Sequence, residues 1–315
     1  MFISSCSNSV SYDTDSFFAA DTFISIYAGK GGQGSGNDCR ALISDLENKL
    51  SKTIGTSEVY RFNESESGIT DASEDTVSLV ELSKELYSST DGAFDITLEP
   101  LISLWDITGG EDIVPDNADI SSALSLRGAD AITADGSTLI KSEPGIRIDL
   151  GGIAKGYMCR RCVEHLRGSV AYGMVDIGGN IGVFGNKPNG EKWKIAIKDP
   201  FDTNASIGYL TVEGGYVAVS GDYERYFEKD GKRYHHLFDP ETGYPADNGI
   251  HEVAVYTKEN GELGDGLSSA LFIMGVERSL ELYETDEYEF EALFVTDDGI
   301  IMTNGMKDLF TPSEE

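Results

Sequence analysis

The chain is 315 residues long, with 55 acidic against 24 basic side chains and a formal net charge of −31. A surface this acidic repels nucleic-acid backbones, and any anionic substrate must be met by cations placed locally. No run of eighteen apolar residues occurs, which excludes a membrane-spanning helix.

Ile3-Ser4-Ser5-Cys6 has the form of a lipoprotein processing box, and a polar Ser/Asp-rich stretch follows it. Residues 1–17 are therefore expected to be a tether, with Cys6 carrying a lipid anchor on the outer side of a bacterial membrane. Residues 18–315 are expected to form one catalytic domain, since no fixed-period repeat or proline-rich linker divides them.

Thr22–Ala28 alternates and predicts a strand. Gly29–Asn37 is a glycine-rich turn without the Gly-Lys-Ser/Thr that a phosphate loop requires. Asp38–Lys52 and Ala72–Ser88 carry apolar residues at helical spacing. Ser89–Trp105 opens as a turn and ends apolar, and Glu111–Ala118 is an acidic loop. Gly145–Leu150 predicts a short strand running into a glycine turn and a helix to about Leu166. Met174–Phe184 is strand, glycine turn, strand. Trp193–Lys198 and Ile207–Val212 are expected to pair, and Tyr216–Ser220, Glu252–Thr257 and Glu291–Val295 add strands. Asp265–Met274 and Val276–Tyr283 predict helices. Cys39, Cys159 and Cys162 form an odd set with no disulfide framework, and the lone CxxC lacks two ligands for zinc. The fold class expected is α/β, with helix-covered mixed sheets in two lobes and an active-site cleft between them.

Four segments carry chemistry. Asp149-Leu150-Gly151-Gly152-Ile153-Ala154-Lys155-Gly156 is a strand-to-helix junction. Its glycines admit close backbone approach, and the helix start with Lys155 suits a phosphate; a plain tight turn with a surface lysine is the alternative. Asp91-Gly92-Ala93-Phe94-Asp95 offers Phe94 to stack on a flat ring and Asp95 to accept from its edge, or else a buried Phe beside a capping Asp. Asp265 and Ser269 are four apart and share a helical face, where they could hold a hard cation such as Mg²⁺; Asp265 could equally be a simple N-cap. Ser220–Pro245 crowds His235 and His236, half of all histidines, beside a turn. Together these point to a phosphate-handling, metal-assisted site.

In this order the runs TDGAFDITLEPLISLW, RIDLGGIAKGY, VDIGGNIGVFG, VSGDYERYFEKDGKRYHHLFDPETGYP and DGLSSALFIMG, with AADTFISI before and ALFVTDDGIIMTNGM after, resemble the FAD:protein FMN transferases, the ApbE-type flavin transferases. The resemblance covers about Phe18 to Phe310. It implies FAD as donor substrate, Mg²⁺ as cofactor, and transfer of FMN to a Thr or Ser hydroxyl of an acceptor protein bearing an Asp-Gly-x-Ser-Gly-Ala-Thr type motif, with release of AMP. It implies metal ligation by the Gly152 carbonyl, Asp265, Ser268 and Ser269, the last standing where the family usually has Thr. FAD contacts carry over to Ala93, Phe94, Asp95, Asp149, Lys155 and backbone near Leu237. Ala20 stands where members often have Met at the flavin, and the family's Asn is missing from SGITDAS. His236 is implied as general base, with Lys155 beside the phosphates, and Asp239 could orient the imidazole. A Mg²⁺-dependent FAD pyrophosphatase would use the same residues, and a non-catalytic flavin-binding lipoprotein is the reading from another class.

Overall fold

The structure, a computed structural model, describes residues 10–313; Cys6 and the first part of the expected tether lie outside them. Its frame is an eight-stranded sheet whose strands lie side by side in chain order. These are β1 (Tyr12–Ala19), β2 (Thr22–Gly29), β3 (Gly173–Ile177), β4 (Asn180–Phe184), β5 (Gly215–Gly221), β6 (Ile250–Thr257), β7 (Glu291–Thr296) and β8 (Gly299–Met302). Every neighbouring pair is antiparallel. Residues 12–17, assigned by sequence to the tether, are thus the edge strand of the sheet. Their alternation was masked because only Phe17 of Tyr12–Ala19 is fully buried, as an edge strand permits.

Apolar residues on one face of the sheet, among them Phe17, Ile24, Ile26 and Val175, pack with three helices into the main core. The helix Ser35–Leu50 buries Cys39, Ile43, Leu46 and Leu50 at helical spacing. The helices Ala154–Arg167 and Gly261–Met274 cross backbone to backbone: a Cβ on Gly156 would lie 2.3 Å from the Gly261 carbonyl oxygen, and one on Gly261 would lie 2.6 Å from that of Gly156. Only a glycine pair permits this approach. Cys159 and Cys162 are free and buried, as is Cys39. The opposite face is covered by a three-stranded sheet of Trp193–Lys198, Ser206–Val212 and Phe310–Pro312, through Trp193, Ile195, Leu210 and their neighbours.

A smaller apolar cluster forms the second lobe. It joins Leu98, Leu101 and Trp105 of the segment Ile96–Trp105, Ile120 of the helix Asn117–Leu124, and Phe227 and Phe238 from the histidine hairpin. The acidic loop expected over Glu111–Ala118 is therefore cut short at its end. Asp116 accepts from Ala118 N and Asp119 N and starts that helix.

Gly145–Leu150 is not a strand. Its edge is held by a side chain instead. Asn63 donates from Nδ2 to the Ile148 carbonyl at 2.9 Å and accepts the Ile148 N–H on Oδ1 at 2.7 Å. A side-chain amide mimics a strand partner here without extending a ladder.

Candidate active site

A cavity of about 780 Å³ opens between the smaller lobe and the sheet. One side is apolar, lined by Ala93, Phe94, Leu98, Ile102, Leu237, Phe238 and Ile273. The other side is built by the turn of β1–β2, by Asp176 and Ile181 of β3 and β4, and by Lys198 and Thr203. Gly152, Lys155, His236, Asp265 and Ser269 line the same cavity.

Asp265 is the hinge of the arrangement. It sits in the second turn of Gly261–Met274, whose N-cap is Asn260 rather than Asp265. The glycine crossing places its carboxylate against the start of the other helix. Oδ2 accepts the Gly156 N–H at 2.9 Å, Oδ1 accepts Asn180 Nδ2 at 3.0 Å, and Lys155 Nζ lies 3.9 Å away. Because Gly156 gives its N–H to Asp265, the Gly152 carbonyl is left without the N–H that an unbroken helical ladder would bring it. Asn180 is positioned by a turn in which Gly178 (φ 55°) and Gly179 (φ 89°) are both left-handed. Its own Oδ1 is buried without a hydrogen-bond partner.

These groups suit a hard divalent cation. Among the described residues no cluster of three His, Cys, Asp or Glu could hold a metal ion, so a cation must rest on mixed oxygen donors. The Gly152 carbonyl, the Asp265 carboxylate and the Ser269 hydroxyl are such a set, and Mg²⁺ is ordinarily bound by one or two carboxylates with substrate phosphates and waters. Ser268 is placed differently from the expectation: it is fully buried, donates to the Asp265 carbonyl at 2.9 Å and lies 2.8 Å from Ser220 Oγ. It braces the helix behind the donors and does not face the cavity.

His235 and His236 point to different environments. His235 is buried, with Nε2 3.0 Å from the Ala246 carbonyl and its ring edge-on to Phe272. His236 is half-buried and lines the cavity. Its Nδ1 lies 3.3 Å from the Arg225 carbonyl. A carbonyl only accepts, so that contact places the proton on Nδ1 and leaves the Nε2 lone pair free to accept. Burial, then the charges of Arg225 and Lys155, hold the ring's pKa well below the ordinary histidine value, so it is neutral at physiological pH.

Asp239 does not orient His236. It accepts Glu241 N at 2.8 Å and Thr242 Oγ1 at 3.1 Å and closes its own turn; three residues of separation in a loop did not bring the two side chains together. Ala20 lies in a left-handed turn (φ 48°), gives its N–H to Glu47, and is not part of the cavity wall; the neighbouring Asp21, Thr22 and Phe23 are.

Asp95 accepts Thr97 N at 2.8 Å and Thr97 Oγ1 at 2.5 Å on Oδ1, while Oδ2 is buried without a partner at the cavity. Burial raises its pKa. Phe94 lies against both helix starts, since a Cβ on Gly152 or Gly266 would meet its ring at 3.3 or 3.6 Å. Asp149 accepts Gly151 N at 2.8 Å and pairs with Lys52 at 2.9 Å.

Sequence reasoning missed Asn180, Tyr223, Glu224 and Glu252. Glu252 is fully buried, and burial followed by Tyr223 and the nearby Glu224 sets its state: desolvation raises its pKa to about 8, the Tyr223 hydrogen bond opposes the rise, and Glu224 adds to it. Its Oε1 has no partner. A glutamate inside the apolar run Ile250–Thr257 was the one available signal.

The family model described as the ApbE family matches residues 20–294. An FAD:protein FMN transferase of Klebsiella pneumoniae (strain 342) is 38% identical over 239 residues, 74% of this chain and 73% of the relative. One of Vibrio cholerae serotype O1 is 35% identical over 264 residues, 82% and 78% of the two chains. The ApbE protein of Thermotoga maritima superposes with a TM-score of 0.88 at 31% identity, covering 95% of this chain and 99% of that one. The apo form of the Pseudomonas stutzeri flavinyl transferase ApbE gives 0.85 at 30% identity, covering 97% and 98%.

Proposed function

The chain belongs to the ApbE family, and on that premise we propose how its cavity works as an FAD:protein FMN transferase. The observation that carries the reading is the convergence of Lys155, Asp265 and a neutral His236 on one cavity of about 780 Å³.

FAD is the donor. Its rings meet the apolar side at Phe94 and Leu237, and the unpartnered Asp95 Oδ2 is free to take a donor from a ring edge. The pyrophosphate is dianionic and enters a protein of charge −31, so cationic groups must receive it. Lys155 and the helix start of Ala154–Arg167 are two. A Mg²⁺ ion held by the Gly152 carbonyl, Asp265 and Ser269 would supply further charge neutralisation at the phosphates.

The acceptor protein brings a Ser or Thr hydroxyl, in an Asp-Gly-x-Ser-Gly-Ala-Thr type segment. His236 Nε2 takes the hydroxyl proton as that oxygen bonds to the phosphorus of the FMN half. The bond from that phosphorus to the bridging oxygen breaks, and AMP departs with the electron pair. Lys155, lining the cavity beside Asp265, would stabilise the charge that grows on the departing phosphate.

Purified protein with FAD and Mg²⁺, with and without a domain bearing that segment, tests the reading. AMP release with a flavin-mass adduct on the domain is expected. Substituting His236→Ala should slow transfer by roughly a hundredfold or more while FAD still binds. Equal AMP and free FMN with and without the domain would make the protein a pyrophosphatase, and full transfer by the variant would remove His236 as base.

A further inference from the structure

The cavity side opposite the apolar wall continues outward along the β1–β2 hairpin. β1 and β2 pair in full register, Phe18 against Phe23 and Ser16 against Ser25. Alternation puts these four on the face away from the helix-packed Phe17, Ile24 and Ile26. At the far end of the hairpin this face is covered, where Tyr12 lies 6.1 Å from Tyr27 and 6.3 Å from Trp193 between ring centroids. At the turn end it is bare: Phe18 is 71% and Phe23 62% exposed.

The bare face runs into the cavity without a break. Ser16 pairs with Ser25, Ser25 with Asp176, and Asp176 with Ile181, so one cross-strand row leads from the edge strand inward. Phe23, Asp176 and Ile181 line the cavity, and Lys198 and Thr203 face them from the covering sheet and the loop after it. Asn180, beside Ile181 but turned to the opposite, helix-packed face, holds Asp265 from behind this wall. Two adjacent exposed phenylalanines form an apolar patch on an otherwise acidic surface, with Phe23 at the cavity.

Resting on the transferase reading, we infer that the acceptor protein docks on this bare sheet face. An extended segment of the acceptor, carrying its Ser or Thr hydroxyl with an apolar residue beside it, crosses Phe18 and Phe23 and enters between the sheet and Lys198. In-line displacement calls for the incoming hydroxyl and the departing AMP on opposite sides of the phosphorus. With Lys155 taking the departing AMP, the hydroxyl must approach from another part of the cavity rim, and the hairpin face is an open one. β1 is an edge strand at the protein surface, so a folded partner can reach it.

Phe18 pairs with Phe23 but does not itself line the cavity, which makes it the clean probe. With the domain bearing the Asp-Gly-x-Ser-Gly-Ala-Thr segment as acceptor, Phe18→Asp should raise the acceptor KM roughly tenfold, and Phe18→Leu should restore most of the loss. The Kd for FAD should match the parent in both. Two results would sink the inference alone: parental transfer with the same acceptor KM in Phe18→Asp, or a rise in the FAD Kd instead, which would assign the face to the adenosine half of the donor. A parent that releases AMP yet never labels the domain overturns the transferase reading, and the docking inference falls with it.

Discussion

Two buried carboxylates near the cavity are met by unequal sets of donors: Asp265 lines it, and Glu252 is bonded to Tyr223, which does. Asp265 receives an N–H from Gly156, an amide N–H from Asn180 and the nearby charge of Lys155. Glu252, on the neighbouring strand β6, has one donor in Tyr223, a like charge close by in Glu224, and an oxygen with no partner. Its pKa is pushed up to about 8, so at neutral pH it is mostly a carboxylic acid. A buried carboxyl with too few donors to replace water keeps its proton, and Glu252 is that case. The donors are concentrated instead on the carboxylate that lines the cavity beside Lys155.

The widest separation between the two is expected in turnover. Asp265→Asn keeps the shape and an acceptor for Gly156 but removes the charge. AMP release should fall by roughly a thousandfold with the melting temperature little changed. Activity within tenfold of the parent would show that the Asp265 charge is not needed, and the contrast would collapse.

Glu252→Gln should act on stability. Below its ordinary pKa of 4.5 the glutamate is protonated in both folded and unfolded chains and costs nothing. As pH rises toward 8 the unfolded chain releases a proton that the folded chain retains, so the parent loses stability across that window. The glutamine variant has no such slope. Its melting temperature relative to the parent should climb by several degrees between pH 5 and pH 8.5. Parallel melting curves at all pH values would mean that Glu252 is ionised and paired in the fold.

Tyr223→Phe is the smallest change. It deletes the one donor to Glu252, and about 1 kcal/mol of stability should go with it at pH 6, a shift of roughly 1–2 °C. No shift would show that the hydroxyl contributes nothing to the buried acid.

Much of this frame could be read from the chain, because the strands β2 to β7 and the helices over 35–50, 74–89, 154–167 and 261–274 have apolar periods that match their packing. Lys155, Asp265 and His236 were legible for another reason. They stand beside glycines or turns, where polar residues have no packing role to hide in. Asn180 and Glu252 were hidden inside strands, where a polar residue reads as the solvent face of an alternating run. Asp239 misled in the opposite way, since nearness in sequence says little about where a loop side chain points. Gly145–Leu150 has the alternation of a strand, yet its partner is the amide of Asn63, which no periodicity announces.

The strand order has a consequence for biosynthesis. β1 and β2 leave the ribosome together and can close as a hairpin, but the next strand in the sheet begins only at Gly173. At ordinary elongation rates the free edge of Thr22–Gly29, with Ile24 and Ile26 on one face, waits on the order of ten seconds for its neighbour. During that interval it is an uncovered template for strand addition by other chains, and a nascent-chain chaperone has its clearest target there.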